Sequence, residues 1–395
     1  MLLRYKEKQS VSTEAIRIPS KLPDIGTTIF TVMSKLANEH NAINLSQGFP
    51  DFDCDPDLIE TVGRHFRTGN NQYAPMQGVM ALREALSRQI TKSYGATYDP
   101  DTEITVTSGA TEALFCTIAA CVSTGDEVII LEPCYDSYVP IVRLCGGVPV
   151  FVTLRFPDYK VDWSEIKHAI TPKTRLLILN SPHNPTGMVL AKNDLNQLEE
   201  LLHQTDIVVL SDEVYEHVIF DGLQHESLAR SPELAARSCI VSSLGKTYHA
   251  TGWRIGHVVA PAPLTHEIRK IHQFVTFASN TPIQYAYAEF LDRRTDESDL
   301  AKFFQDKRDY FLSLIKESRF KPIISRGTYF QLLDYSLITD ESDKNFSLKL
   351  LKTHGVAAIP TSAFLFQSEA PPVLRFCFSK KKETLEAAAK CLCVI

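Results

Sequence analysis

The chain has 395 residues, of which 44% are hydrophobic and 22% are charged, and its formal net charge at pH 7 is −6. This acidic balance disfavours nucleic acid or an anionic membrane surface as the main partner, and no apolar run reaches the roughly 20 residues that a membrane-spanning helix needs. The N-terminus shows no signal-peptide pattern, and nine cysteines without a Cys-x-x-Cys pair favour reduced thiols in a cytoplasmic protein, with no metal site expected.

Seven short apolar runs recur along the middle of the chain, and segments with helical character separate several of them. Runs that are apolar throughout and alternate with helices indicate a mainly parallel sheet with helices on both faces. The predicted strands are Ile104–Thr107, Glu127–Leu131, Val148–Thr153, Arg175–Asn180, Ile207–Ser211, Cys239–Ser243 and Ile255–Ala260, and the predicted helices include Thr111–Cys121, Trp163–Ile170 and Ala191–His203. This pattern predicts a large α/β domain with a seven-stranded sheet over residues 55–290.

The two ends of the chain, residues 1–54 and 291–395, have a different texture. In the C-terminal segment, long amphipathic stretches at Ala301–Ser318 and Asn345–His354 accompany short strand-like runs at Thr328–Leu333 and Val373–Phe378. We expect the two ends to form one smaller α+β domain together.

Ligands of open α/β sheets bind at the carboxyl ends of the strands, so the residues that follow each predicted strand are candidates. After the first strand comes Ser108-Gly109-Ala110-Thr111, a turn of small residues that would expose backbone N–H groups at a helix N-terminus and so favour a phosphate. A plain N-cap at Ser108 is the alternative. Tyr135 follows the second strand and could stack on a flat cofactor, although an aromatic residue there is more often packed in the core.

Two further strand ends carry polar residues in motifs. Asn184 lies between two prolines in Ser181-Pro182-His183-Asn184-Pro185-Thr186-Gly187, where it could donate a hydrogen bond to a ring oxygen; a structural Asn-Pro turn is the alternative. Asp212 follows an apolar strand, and a buried carboxylate there needs a cationic partner such as a pyridinium nitrogen. Tyr215 could reach the phenolic oxygen of the same ring. A capping aspartate with a core tyrosine is the alternative for this pair.

The motif Ser242-Ser243-Leu244-Gly245-Lys246-Thr247 places a lysine in a turn of small residues after the sixth strand, and Arg254 follows eight residues later. A lysine in such a turn is suited to form a Schiff base, and an arginine can bind a phosphate through its planar fork. Together with the earlier strand ends, these residues predict a site for pyridoxal 5′-phosphate (PLP). Its ring acts as an electron sink when the ring nitrogen is protonated.

On these motifs the chain resembles the class I and II aminotransferases, which are PLP-dependent transferases of fold type I. Arg375, in Leu374-Arg375-Phe376-Cys377-Phe378, completes the set, and the resemblance extends over nearly the whole chain from Ser20. The finer resemblance is to the methionine and kynurenine (glutamine transaminase K) group. Its carriers are Ser20-Lys21-Leu22-Pro23, Gly26-Thr27-Thr28-Ile29-Phe30, Asn44-Leu45-Ser46-Gln47-Gly48-Phe49-Pro50-Asp51-Phe52, Asn71-Gln72-Tyr73-Ala74-Pro75, Gly327-Thr328-Tyr329-Phe330 and Ala357-Ala358-Ile359-Pro360.

The resemblance implies a role for each candidate residue. Lys246 would bind PLP covalently and then carry the proton that leaves the substrate Cα, and Asp212 would pair with the ring nitrogen. The other implied PLP contacts are Gly109, Ala110, Thr111, Tyr135, Asn184, Tyr215, Ser243 and Arg254, with Tyr73 reaching the phosphate of the neighbouring subunit in a homodimer with shared active sites. The implied substrate contacts are Arg375, Asn184 and Gly48 for the α-carboxylate and Ile25, Phe49 and Tyr329 for the side chain.

The implied activity is transfer of the α-amino group of methionine or an aromatic amino acid, including kynurenine, to a 2-oxo acid with ping-pong kinetics. An apolar pocket without an obvious second arginine favours these substrates over aspartate; a residue of the partner chain that binds a distal carboxylate is the alternative. A cysteine-S-conjugate β-lyase on the same fold is the alternative, because it begins with the same Cα deprotonation. A non-enzymatic PLP-fold regulator is not expected, since the chain is acidic and shows no added helix-turn-helix.

Overall fold

The computed structural model describes residues 18–294 and 298–395. Its strands are β1 (Ile43–Asn44), β2 (Ile104–Thr107), β3 (Glu127–Glu132), β4 (Val148–Thr153), β5 (Thr174–Asn180), β6 (Val208–Asp212), β7 (Ser238–Ser243), β8 (Gly256–Val259), β9 (Lys321–Ile323), β10 (Phe330–Asp334), β11 (Val356–Ala357), β12 (Ile359–Pro360) and β13 (Val373–Cys377). Its helices are α1 (Ile29–Glu39), α2 (Pro56–Arg67), α3 (Met80–Tyr94), α4 (Ala110–Cys121), α5 (Tyr138–Leu144), α6 (Trp163–Ala169), α7 (Lys192–Leu202), α8 (Pro232–Ala235), α9 (Leu244–Thr247), α10 (Ala262–Val275), α11 (Thr281–Arg293), α12 (Ser298–Leu314), α13 (Asp343–His354) and α14 (Lys382–Leu392).

The central sheet has seven strands in the order β2-β8-β7-β6-β5-β3-β4. Strand β8 runs antiparallel to both of its neighbours, and the other neighbouring strands pair in parallel. Alternate residues of β3 enter different cores: Ile129 and Leu131 belong to one buried cluster, Val128 and Ile130 to another. Because both faces of the sheet are covered, its strands are apolar throughout, and the predicted α/β fold class is confirmed.

Strand register brings the predicted polar residues to one edge of this sheet. Asn180, the last residue of β5, pairs with Asp212, the last residue of β6, and Asp212 pairs with Val241 of β7. Helix α4 starts after Gly109, which is the N-cap residue and supplies no side-chain hydrogen bond. The alternative reading of Ser108 as the N-cap is therefore wrong, and no serine side chain caps the first turn of α4.

A second region packs against this edge. It contains an antiparallel four-stranded sheet in the order β12-β13-β10-β9, and β1 pairs in parallel with β11. Its core is largely separate from that of the central sheet and is built by residues of α12, α13 and α14 around β10 and β13. The predicted C-terminal helices correspond to α12 and α13, and the predicted strands to β10 and β13.

The exact domain division stays a prediction. Helix α11 continues through the predicted boundary at residues 290/291, and residues 1–17 of the predicted smaller domain lie outside the described residues. Among the helices that the structure describes, none combines the length and apolar character needed to cross a bilayer.

Candidate active site

A cavity of about 230 Å³ lies at the carboxyl ends of β5, β6 and β7, where the central sheet meets the second region. It brings together most of the residues selected from the sequence: Gly48, Ala110, Thr111, Tyr135, Asn184, Asp212, Tyr215, Ser243, Lys246, Arg254 and Arg375. The remaining lining residues are Phe30, Gln47, Leu114, Asn180, Val214 and Phe330.

Lys246 lies in the short helix α9 directly after β7. Its Nζ donates a hydrogen bond to the Gly48 carbonyl at 3.2 Å and lies 6.0 and 5.9 Å from the ring centroids of Tyr215 and Tyr329. Removal from bulk solvent lowers the pKa of Lys246 to about 8, and the nearby positive charge of Arg254 acts in the same direction. At pH 7 roughly a tenth of this amine is therefore uncharged, far more than for a lysine with the ordinary pKa of 10.5.

Asp212 is 3% exposed and is oriented by two hydrogen bonds. The Tyr138 hydroxyl donates to one carboxylate oxygen at 2.5 Å, and the Val214 N–H donates to the other at 3.3 Å. Burial raises the pKa of Asp212 to about 6, although the Tyr138 hydrogen bond opposes this shift. The group is thus a buried anion at neutral pH, which is the state that a cationic ring nitrogen would stabilise.

The turn before α4 allows an arginine to approach its backbone closely. Gly109 has φ +84°, and a Cβ at this position would lie 2.4 Å from Nη2 of Arg254. A side chain here would displace the guanidinium from its place beside the N-terminus of α4, and the positive φ favours glycine as well. With Ser243 at the end of β7, this corner combines helix N–H groups, a hydroxyl and a fixed positive charge, which are the components of a phosphate site.

Arg375, from β13, is 1% exposed on the opposite side of the cavity. Its Nη1 donates to Oδ1 of Asn184 at 2.6 Å, and its Nη2 donates to the Ser46 carbonyl at 3.1 Å. The guanidinium carbon lies 3.8 Å from the ring centroid of Phe330 and 5.1 Å from that of Phe30. Aromatic rings thus fix the plane of the guanidinium.

Among the described residues Arg375 has no ion-pair partner, although the charge of Asp136 favours its cationic state. Its Nε has no hydrogen-bond partner, and no carboxylate of the described residues lies within ion-pair distance. Burial lowers the pKa of Arg375 to about 10, so the side chain is still charged at neutral pH. A buried cation with free hydrogen-bonding capacity is suited to an incoming carboxylate.

Comparison with known proteins agrees with this geometry. Residues 40–392 match the family model of aminotransferase class I and II. The methionine aminotransferase of Escherichia coli K12 is 49% identical over 94% of this chain and 96% of its own length. A solved Escherichia coli structure described as having a methionine aminotransferase function has a TM-score of 0.94 at 47% identity, covering 96% of this chain and 100% of that chain.

Mouse kynurenine–oxoglutarate transaminase 1 is 34% identical over 94% of this chain and 96% of its own length. The chain belongs to the class I and II aminotransferases. This family depends on PLP. Three features of the cavity fit this cofactor: the Gly109 turn beside Arg254, the buried carboxylate of Asp212 and the lowered pKa of Lys246.

Some predicted residues of this aminotransferase lie outside the cavity lining. Tyr329 is buried beside Lys246, and its hydroxyl donates to the Gly48 carbonyl at 2.9 Å. Phe49 and Ile25 are 44% and 38% exposed. Tyr73 is 85% exposed, and its ring contacts the edge of Phe277. The roles assigned to these residues remain predictions.

Sequence reasoning missed several residues that shape the aminotransferase site. Tyr138 follows Tyr135 by three residues and supplies the hydrogen bond to Asp212. Asn180 accepts from the Asn184 N–H through Oδ1 at 2.8 Å and donates to the Asp212 carbonyl. Asn180 is the last residue of the predicted strand Arg175–Asn180 and Tyr138 lies shortly after the second predicted strand, so their polar character near a strand end was the available signal. The contact of Phe330 with Arg375 depends on the pairing of β10 with β13 and had no local signal.

Proposed function

We propose that this aminotransferase uses PLP to transfer the α-amino group of methionine and aromatic amino acids, kynurenine among them, to a 2-oxo acid. The observation that carries the proposal is the convergence of Lys246, Asp212 and Arg375 on one cavity. The named substrates of the Escherichia coli and mouse relatives support the choice of amino donor.

The central-sheet side of the cavity would hold the cofactor. The N-terminus of α4, Ser243 and Arg254 would bind its phosphate, and Asp212 would pair with its ring nitrogen. Asn184 and Tyr215 would donate to its phenolic oxygen, and Tyr135 would pack on its ring. When bound, PLP accepts the electron pair released at the substrate Cα.

Lys246 would act as the proton carrier. Burial lowers its pKa, so the uncharged amine that can take a proton is far more populated near neutral pH than in an exposed lysine. The hydrogen bond to the Gly48 carbonyl directs Nζ into the cavity. The same amine can return the proton in the second half-reaction. Because the first oxo acid leaves before the second one binds, the kinetics should be ping-pong.

Substrate selection would depend on the lack of a free cationic side chain in the cavity lining. The cationic side chains of the cavity lining are Lys246, Arg254 and Arg375, and each already has an assigned role. No cation that this subunit supplies to the lining remains for a second substrate carboxylate. Phe30, Phe330 and other apolar groups complete the pocket, so neutral apolar side chains are expected to bind in preference to acidic ones.

We also propose a homodimer with shared sites and the two-domain division given above. Tyr73 is 85% exposed and does not line the cavity of its own subunit, as expected for a side chain that acts in the site of a second subunit. The dimer would bring this side chain to the partner's phosphate. A cytoplasmic location stays a prediction from the sequence.

The test is a half-reaction. The PLP-loaded protein is mixed with L-methionine without an oxo acid, and the visible spectrum and the product are followed. We expect one equivalent of 4-methylthio-2-oxobutanoate per subunit and similar reactions with phenylalanine and kynurenine. L-Aspartate is the control for the charge argument, and its reaction should be at least about tenfold less efficient, the usual effect of a carboxylate left unpaired.

Two results would contradict the proposal. Reaction with aspartate in preference to methionine would show that the pocket accepts a second carboxylate. Release of pyruvate and ammonia from a cysteine S-conjugate, with no oxo acid that retains the side chain, would indicate β-elimination, which no observation on this chain favours.

A further inference from the structure

A buried acid–base pair lies outside the cavity, next to the proposed phosphate site. Glu112 is in the first turn of α4, and His272 is in the last turn of α10. Oε1 of Glu112 and Nδ1 of His272 are 2.6 Å apart. Glu112 is 8% exposed and His272 is completely buried. No step of the proposed mechanism uses either residue.

All four polar atoms of this pair are engaged. The other carboxylate oxygen of Glu112 accepts from the Ser108 N–H, and Nε2 of His272 lies 2.8 Å from the Met76 carbonyl. A carbonyl oxygen can only accept, so Nε2 carries a proton, and the carboxylate at Nδ1 calls for a second one. Burial acts to raise the pKa of Glu112, but hydrogen bonds from His272 and Ser108 leave it below its ordinary value. The two residues therefore form an ion pair.

The same residues resemble a metal site at first sight. One donor atom each from Glu112, Cys116 and His272 lie within 4.8 Å of one another. However, Glu112 and His272 are bonded to each other, and their remaining polar atoms are bonded to the Ser108 N–H and the Met76 carbonyl. Because Glu112 and His272 are thus saturated by hydrogen bonds, the cluster is explained by the ion pair.

The pair joins two segments that matter for the cofactor. Through Ser108, Glu112 fixes the phosphate turn (residues 108–111). Through Met76, His272 fixes the Tyr73 loop (residues 72–79). The His272 carbonyl also accepts from the Phe277 N–H at 3.1 Å, and the Phe277 ring contacts Tyr73 at a centroid distance of 5.5 Å. His272 thus contacts the Tyr73 loop directly and supports the ring that Tyr73 packs on.

We propose that Glu112 and His272 are positioning residues that link the phosphate turn of one site to the loop that presents Tyr73 to the partner subunit. This inference rests on the proposed function, since it requires PLP and a dimer with shared sites. If the pair is broken, we expect PLP to bind more weakly at two places: at the phosphate turn of the same subunit and at the partner's site that Tyr73 reaches.

The first experiment measures PLP affinity of the dimeric apoenzyme by fluorescence titration. His272→Asn places an amide near the former Nδ1, and His272→Gln places one near the former Nε2, so each keeps one end of the link. We expect about tenfold weaker PLP binding for each, the usual effect of losing a hydrogen bond to a charged group. The PLP affinity of Glu112→Gln should fall by a similar factor.

The matched control is His225→Gln. His225 is also buried, and its Nε2 lies 2.7 Å from Glu213, but neither residue contacts the phosphate turn or the Tyr73 loop. This variant should lower the melting temperature of the apoenzyme as the His272 variants do, and yet bind PLP within about twofold of the wild type. Equal losses of PLP affinity in the control and the His272 variants would overturn the proposal.

A double-mutant cycle tests the link to the Tyr73 loop. If His272 acts partly through that loop, Tyr73→Phe combined with His272→Asn should lose less affinity than the product of the two single losses. If the double variant loses affinity by the full product of the two single factors, the link to the Tyr73 loop would be overturned. Failure of the wild type to bind PLP or to dimerise would refute the proposed function instead, whereas a wild type that does both, with His272 variants of unchanged affinity, refutes only this inference.

Discussion

The side of the cavity formed by the central sheet differs from the side formed by the second region in how its charged groups are paired. On the first side, Asp212 accepts hydrogen bonds from Tyr138 and Val214, and its position is set by register across three strands. On the second side, Arg375 contacts a neutral amide, a carbonyl and aromatic rings, and its Nε has no partner.

This difference corresponds to how long each of the two molecules would stay in the site: PLP remains bound, and the amino acid leaves in each cycle. A cofactor that stays bound benefits from groups that are fully oriented before it arrives. A substrate that enters and leaves in each cycle needs a charge that protein carboxylates have not already neutralised. The sheet side is therefore organised for the resident group, and the second region for the transient one.

The largest effect is expected at Lys246, which is proposed both to bind PLP and to carry the substrate proton. Lys246→Ala should lower kcat by about 10³-fold or more, because it removes the proton carrier. Single-turnover kinetics with L-methionine would measure this. A residual rate within tenfold of the wild type would show that another group moves the proton.

The same lysine should make the apoenzyme less stable. Its pKa is about 8 in the folded chain against an ordinary value of 10.5, so the folded state disfavours the charged amine. The destabilisation is complete below pH 8 and is relieved as pH rises from 8 to 10.5, where only the unfolded chain keeps the proton. Lys246→Met should therefore raise the melting temperature of the apoenzyme below pH 8, with a gain that shrinks toward pH 10.5. A gain independent of pH would contradict the buried-amine explanation.

Asp212→Asn should have the next largest effect, lowering kcat by about 10²-fold or more while PLP still binds, since an amide cannot keep the ring nitrogen protonated. Glu213→Gln is the matched control, because the adjacent carboxylate contacts His225 and does not line the cavity. Normal turnover in Asp212→Asn would refute the assigned role.

The sheet side was largely predictable from the sequence, because its chemistry is local. Five of the seven predicted apolar runs are followed by candidate site residues, and parallel strands bring such ends to one edge. Asp212, for example, lies one residue beyond the strand predicted at Ile207–Ser211 and forms the last residue of β6. The motif of Lys246 after β7 follows the same rule.

The second side was less predictable because its contacts join distant segments. Arg375 meets Ser46 and Asn184, which are 329 and 191 residues away in the sequence. Pairing of this kind depends on tertiary packing, which local periodicity does not encode. The ion pair of Glu112 with His272, 160 residues apart, was invisible for the same reason.

Substitution of Arg375 and of Arg254 tests the two sides of the cavity one at a time. Arg375→Lys should raise KM for methionine by about 10- to 100-fold with a smaller effect on kcat, because the planar fork is lost. PLP affinity should be unchanged. Arg254→Lys should do the opposite, weakening PLP binding with little change in KM once PLP is saturating. A KM effect from Arg254→Lys as large as that of Arg375→Lys would break the division between the sides.

The smallest effect is expected at Tyr138, which touches Asp212 but does not line the cavity. Its hydrogen bond lowers the pKa of Asp212 against the effect of burial, so Tyr138→Phe should move that pKa above about 6. The carboxylate would then be protonated at a higher pH, and PLP affinity should fall a few-fold at pH 6 while staying near the wild-type value at pH 8. Titration of the apoenzyme with PLP between pH 5 and 8 would detect the displaced acid limb of the plot of affinity against pH.

The control is Tyr94→Phe, which removes a buried hydroxyl bonded to Glu216 instead and should leave the acid limb in place. An equal shift in both variants would mean that loss of a buried hydroxyl, rather than orientation of Asp212, causes the effect.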